Sequence, residues 1–163
     1  MEARNPTATA PSRSEVVEAV LGASRVLVAV AARSLAEVAE DVTLPQYRAL
    51  VVLASRGPQR VASLAELLAV TPPTATRMCD RLERKGLIRR RAARQDRREV
   101  RVSLSAAGQE LVTEVTSRRR AEITHLLDRI ATEDQARMVE LFGELADAAG
   151  EVADRQWVED WEL

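Results

Sequence analysis

A mainly α fold with one small β-ribbon, the β-wing, is predicted by three features of this 163-residue chain. Polar capping pairs stand ahead of stretches whose apolar residues return every three or four positions, the period of helices that bury one face. The segment VRVSL (100–104) instead alternates apolar and polar residues, the period of a strand. Aromatic residues make up only 2% of a chain that is 46% hydrophobic. The core must therefore be built from Leu, Val and Ala, which favours packed helices. A chain of this length suits one domain with a packing appendage and can bury a core without disulfides or metal.

The elements follow in order. Residues 1–11 (MEARNPTATAP) are polar and punctuated by proline, which predicts a disordered arm. Ser12 with Glu15 forms a capping box for a long Val/Ala-rich helix to about Glu40. Its apolar residues Val16, Val20, Val26, Val30 and Leu35 do not keep to one narrow stripe, so it is expected to be covered on more than one side. Thr43 with Gln46, and Pro45 in the first turn, start a second helix that stops before the breaker pair Gly57-Pro58. Ser63 with Glu66 is expected to cap a short third helix through Leu64, Leu67 and Leu68. Thr71 and Pro72 open a fourth helix over about 72–85, ended by Gly86. Two short helices with so brief a link form a helix-turn-helix.

Leu87 and Ile88 then begin a strand that runs into arginines, and 100–104 returns with Val100, Val102 and Leu104 on one face. The polar AARQDRR between them suits a hairpin tip, giving a wing over about 87–104. Ser105 caps a long helix to about Ile130, and Thr132 with Gln135 is expected to cap a last one. On that helix Met138, Phe142, Leu145, Ala149 and Val152 make a seam ready for another helix. The terminal segment holding Trp157 and Trp161 is expected to pack against the first helix.

Charge divides this architecture. Between Arg77 and Arg101 eleven Arg or Lys stand against four Asp or Glu, leaving 13 bases against 21 acids elsewhere. A basic segment on an acidic body points to a local polyanion site. On the fourth helix Ala75, Met78, Cys79 and Leu82 should face the core, and Pro73, Thr74, Thr76, Arg77, Arg81 and Arg84 the other way. Short hydroxyls and arginines near a helix N-terminus suit a major groove of double-stranded DNA, where Thr meets a thymine methyl or a phosphate and Arg bonds guanine at two atoms. Asp80 is expected to position Arg77 or Arg84 by a helix-spaced ion pair. In the wing, Asp96 can orient an arginine among Arg94, Arg97 and Arg98 for a minor groove, while Arg89, Arg90 and Arg91 are expected to touch phosphates.

Other chemistries find little support. There is no Gly-rich phosphate loop, nucleophile elbow or metal-ligand cluster, so no catalytic residue, metal or cofactor is expected and the chain does not read as an enzyme. The lone Cys79 fits a reducing compartment and a buried, inert thiol. The lone His125 cannot make a metal site and is expected to pack in the core or at an interface. Arg25 interrupts the apolar run 19–32, and Glu15 and Glu18 stand where a signal peptide would be basic. The expected location is therefore cytoplasmic, with no membrane partner. A helical protein-interaction module using the basic wing on an acidic partner is the alternative reading; a nuclease-resistant partner and no DNA footprint would mark it.

The stretches LAELLAVTPPTATRMCDRLERKGLIRR (64–90) and DRREVRVSLSAAG (96–108) resemble the MarR (multiple antibiotic resistance regulator) family of winged helix-turn-helix transcriptional regulators. The second carries the family's wing pattern at Asp96, Arg98, Val102 and Leu104, with Ser105 where threonine is usual. The resemblance implies a homodimer that represses from a pseudo-palindromic operator, its half-sites about one helical turn apart. It implies that Arg98 enters the minor groove, oriented by Asp96, and that Pro73, Thr74, Thr76 and Arg77 line the recognition surface. It assigns 43–104 to the DNA-binding domain, and 12–40 with 105–155 to a helical dimerisation region. It further implies release by a small aromatic acid or phenol held between the two, where Arg25 and Tyr47 could line the pocket.

Overall fold

A computed structural model describes residues 10–92 and 100–151. The elements are α1 (Arg13–Val38), α2 (Leu44–Arg56), β1 (Gln59–Arg60), α3 (Val61–Leu67), α4 (Pro72–Arg84), β2 (Ile88–Ala92), β3 (Val100–Leu104), α5 (Ala106–Leu127) and α6 (Thr132–Ala148). The mainly α reading and the β-ribbon are both found. The expected hairpin tip, with Arg94, Asp96, Arg97 and Arg98, lies outside the described residues, as do 1–9, Val152 and both tryptophans.

Local chemistry sets the boundaries. Ser12 and Thr43 form complete capping boxes with Glu15 and Gln46, each pair satisfying two amides that the first helical turn leaves without partners. Ser63 does not repeat this. α3 starts at Val61 directly after Arg60, which is extended because β1 pairs Arg60 with Arg101, so Ser63 lies inside the first turn. Thr132 does not cap α6 either. Ala131 stands at that position, and Gln135 donates instead to the Leu127 and Ile130 carbonyls at the end of α5.

Three helices close with the same arrangement, a left-handed residue that lets two amides reach back to free carbonyls. Gly86 ends α4 and Gly150 ends α6, with φ of 73° and 66°. Ala69 ends α3 with φ 52°, while Val70 N–H donates to the Ala65 carbonyl over 3.0 Å. An alanine pays a steric penalty there of about 1–2 kcal/mol.

The core surrounds α2, whose run Ala49–Ala54 is buried throughout. Leu50, Leu64, Leu82, Ile88, Val102 and Val115 are all fully buried, drawn from five further elements besides α2; each contributes about 1.5–3 kcal/mol of burial. The three-stranded antiparallel sheet has the order β1-β3-β2. β1 was not foreseen, because two polar residues carry no alternation. In the register, Val102 faces Gln59 on one side and Arg90 on the other. Val102 is fully buried and Leu104 half-buried, but Val100 is 49% exposed, so the inward face ends before that residue.

α1 packs on α5 through Arg33–Glu122 and through Arg118, which reaches Glu37 over 2.7 Å and Glu114 over 3.1 Å. Val30, Ser34 and Leu35 of α1 are buried, but its Val16, Val17, Val20, Leu21, Val26, Leu27 and Val28 are exposed. α6 has no buried residue, and Phe142 and Leu145 of its seam are exposed. The expected cover on more than one side of α1 is thus absent within the described chain. Among the described residues no helix is long and apolar enough to cross a membrane.

Candidate nucleic-acid interface

α4 is positioned from its inner face outward. Pro72 and Pro73 occupy its first turn, where a missing N–H costs nothing. Ala75, Cys79 and Leu82 are buried at three- and four-residue spacing, and this fixes the helix's roll on the core. Consequently Pro73, Thr76, Arg77, Arg81 and Arg84 are exposed on the other side, with Thr74 half-buried at its edge. The small side chains are already oriented. The Thr74 and Thr71 hydroxyls lie 2.9 Å apart, Arg77 Nη2 donates to Thr74 Oγ1 over 3.4 Å, and Thr76 Oγ1 donates to the Pro72 carbonyl over 3.0 Å.

The arginines of β2 separate by strand alternation. Arg89 and Arg91 are exposed, while Arg90 turns to the opposite face and packs toward α4. Its Nη2 lies 2.6 Å from Asp80 Oδ1 and its Nη1 3.1 Å from Glu83 Oε2. The expected helix-spaced partnership of Asp80 is therefore corrected. Its carboxylate is taken by a strand residue that comes closer than its helix neighbours, and Arg84 Nε donates instead to the Asp80 backbone carbonyl over 3.2 Å. The ion pair with Asp80 raises the Arg90 pKa further. Beside it burial pushes the Cys79 thiol up, against a smaller opposing pull from Arg90. Such a thiol is not poised for nucleophilic or redox chemistry.

A cleft of about 440 Å³ lies between the start of α2 and the exposed side of α4, lined by Thr43, Pro45, Gln46, Thr74, Arg77, Met78 and Arg81. Its α2 residues were not foreseen, since only the fold brings them beside α4. Tyr47 is buried, with its hydroxyl 3.3 Å from Thr116 Oγ1, whereas Arg25 is exposed on α1. The two are not brought into one described cavity. His125 is exposed on the single chain rather than packed in its core, and its Nδ1 lies 3.8 Å from Asp128. Among the described residues no cluster of His, Cys, Asp or Glu could hold a metal ion.

A helix-turn-helix backed by a three-stranded sheet, with an arginine-bearing face turned outward, defines a winged helix-turn-helix protein. The sequence profile of the MarR family matches residues 42–100. The HTH-type transcriptional repressor MdtR of Bacillus subtilis is 34% identical over 110 residues, covering 68% of this chain and 71% of MdtR. Among solved structures, RV1404 from Mycobacterium tuberculosis is similar with 38% identity and a TM-score of 0.81, over 90% of this chain and 99% of that one. YusO from Bacillus subtilis follows at 28% identity and a TM-score of 0.60, over 85% and 99%. The chain belongs to the MarR family of transcriptional regulators, a membership that agrees with the expectation that it is not an enzyme.

Proposed function

We propose that the chain is a homodimeric repressor that binds a pseudo-palindromic operator in double-stranded DNA. The observation that carries this reading is the exposed face of α4: Pro73, Thr74, Thr76, Arg77, Arg81 and Arg84 stand together, held outward by the burial of Ala75, Cys79 and Leu82. Arg77 and Thr74 would read base edges in the major groove, and Arg81, Arg84 and Arg89 would meet phosphates. Arg94, Asp96, Arg97 and Arg98 would supply the minor-groove contact; they lie outside the described residues. DNA-binding would be the work of 43–104, and dimerisation that of 12–40 and 105–155. The exposed apolar side chains of α1 and α6 support the second assignment, because a monomer would leave them all in water. A DNA ligand also implies a cytoplasmic location.

Release by an aromatic acid or phenol is part of the same reading. Tyr47, buried with its hydroxyl 3.3 Å from Thr116 Oγ1, and Arg25, exposed on α1, would line its seat.

The experiment is a fluorescence-anisotropy titration of the protein against a fragment of its own promoter at several salt concentrations. Binding should weaken with salt by a log–log slope of about 0.9 per phosphate contact. No binding, or no salt dependence, overturns the proposal. Arg98→Ala should greatly weaken specific binding; an unchanged affinity would remove the wing from the mechanism.

A further inference from the structure

We propose that Arg90 is a positioning residue, a brace that fixes the angle between α4 and the β2–β3 ribbon, with Asp80 and Glu83 as its anchor points. This rests on the DNA-binding reading and gives Arg90 a different part in it from the phosphate contact its sequence context suggested.

Three observations carry it. Arg90 lies on the opposite face of β2 from Arg89 and Arg91, so a backbone that offers those two to solvent turns Arg90 toward α4. Its two terminal nitrogens are divided between carboxylates three residues apart on α4, 2.6 Å from Asp80 and 3.1 Å from Glu83. A fork held at both tines fixes orientation as well as distance, which a point charge does not. The third is electrostatic. Asp80 and Glu83 stand on the helix proposed to approach a polyanion, with side chains 46% and 40% exposed, where unpaired carboxylates would repel phosphate. Arg90 offsets one of these two charges from behind and holds both carboxylates on its own side of the helix.

The ribbon is already held to β1, whose Gln59 and Arg60 pair with Val102 and Arg101, but that pairing does not fix its angle to α4. Its base is seated by buried Leu87 and Ile88, immediately after the turn at Gly86. A pivot of about 10° there would displace the far end of a five-residue strand, roughly 17 Å away, by about 3 Å. That exceeds the tolerance of any hydrogen bond to a groove. Arg90 grips α4 partway along the strand and removes the pivot.

The test uses the full-length protein and its promoter fragment, with thermal melts to confirm that each variant folds. Asp80→Asn with Glu83→Gln removes two negative charges from the proposed DNA-facing side. Simple electrostatics predicts equal or tighter binding, while the brace predicts binding about tenfold weaker. Arg90→Gln should weaken binding by a similar factor with the salt slope unchanged. A slope reduced by about 0.9 would mean that Arg90 touches a phosphate, and would overturn the brace. Arg90→Lys keeps the charge without the fork and should give an intermediate loss; wild-type affinity overturns the proposal.

A readout without DNA separates this proposal from the one it rests on. Residual dipolar couplings of the β2–β3 amides should depart from the frame of α4 in Arg90→Gln, and unchanged couplings refute the brace. If the wild-type protein shows no salt-dependent binding, the DNA reading fails, and these couplings still decide the brace.

Discussion

Replacing Gly108 by alanine puts a single methyl group where α5, β3 and the turn after α4 meet. Helix propensity alone predicts a gain, since glycine inside a helix is about 0.8–1.0 kcal/mol less favourable than alanine. The geometry predicts the reverse. A Cβ on Gly108 would lie 2.0 Å from the Leu87 carbonyl oxygen, 3.0 Å from its carbon and 3.2 Å from Leu104 Cδ2. A carbon–oxygen contact normally settles near 3.3–3.6 Å, so α5 would have to retreat from the Leu87 carbonyl by more than about 1 Å. That carbonyl accepts a hydrogen bond from Ser105 N–H over 3.1 Å, and Ser105 Oγ accepts one from Gly108 N–H over 3.0 Å while donating to the Gly86 carbonyl. Ser105 must either follow α5 and stretch its bonds to Leu87 and Gly86, or stay and stretch the cap bond from Gly108. Overpacking against rigid backbone costs about 1–3 kcal/mol and sometimes more. Adding the weakened hydrogen bonds and subtracting the propensity gain leaves a net loss of about 2–4 kcal/mol. For a chain of this size that lowers Tm by roughly 4–16 °C. Thermal unfolding followed by circular dichroism measures it. Gly143→Ala is the control: it sits in α6, off the 138–142–145–149 seam, and its Cβ would meet nothing within 4 Å. It should gain up to about 1 kcal/mol. A Gly108→Ala protein as stable as the wild type, or gaining like the control, would refute the close approach of α5 to the Leu87 carbonyl.

Ala69→Gly should relieve the left-handed backbone between α3 and α4, a gain of up to about 1.5 kcal/mol after the extra unfolded-state entropy of glycine. A drop in chemical-denaturation midpoint would show that Ala69 is not strained. Cys79 should react with a thiol reagent orders of magnitude more slowly in the native protein than in urea, because it is fully buried and its ionisation is disfavoured; rapid native labelling contradicts this. The Arg48 guanidinium, 2.9 Å from Glu151, holds that carboxyl below the usual glutamate range. A carboxyl depressed in the folded state adds stability above its unfolded pKa and loses it as pH falls through the folded value. Glu151→Gln should therefore cost less than about 1 kcal/mol at neutral pH, since both side chains are partly exposed, and the gap should close on acidification below about pH 4. A gap that stays constant with pH rules out the ion pair as its source.

The parts of this fold that could be read from the sequence are those whose cause is local. Ala75, Cys79 and Leu82 recur at helical spacing and oppose Thr76, Arg77 and Arg81, so the two faces of α4 could be separated before any neighbour was known. Capping patterns were reliable only where the preceding chain was free to supply the cap. Ser12-x-x-Glu15 and Thr43-x-x-Gln46 closed as boxes, whereas Ser63-x-x-Glu66 fell inside a helix whose start was set by the pairing of Arg60 in β1. That pairing joins residues about forty positions apart and leaves no trace in a two-residue strand. Arg90 fails to read for the same reason. Alternation tells which face of β2 it occupies, but the carboxylates opposite it come from another element, and an i,i+4 rule assigned Asp80 to the wrong arginines. In the cleft between α2 and α4, likewise, each wall was legible and their meeting was not.

Ser105 shows how these pieces bear on one another. It ends β3, caps α5 through Gly108 N–H, and donates to the Gly86 carbonyl at the turn that follows α4. The last strand of the ribbon, the end of α4 and the start of α5 are therefore fastened at one point, with Gly108 removing the side chain that would hold them apart. Arg90 ties ribbon to α4 a second time, farther along β2. Two attachments leave α4 and the ribbon little freedom relative to each other, and the junction at Ser105 carries any movement of α5 into both. In the proposed dimer, an effector wedged between the lobe and the long helices would then do little by deforming the reading surface. It would act by tilting α5 and so changing the separation of two rigid surfaces, and it could do so only by binding the altered spacing more tightly than the operator-matched one.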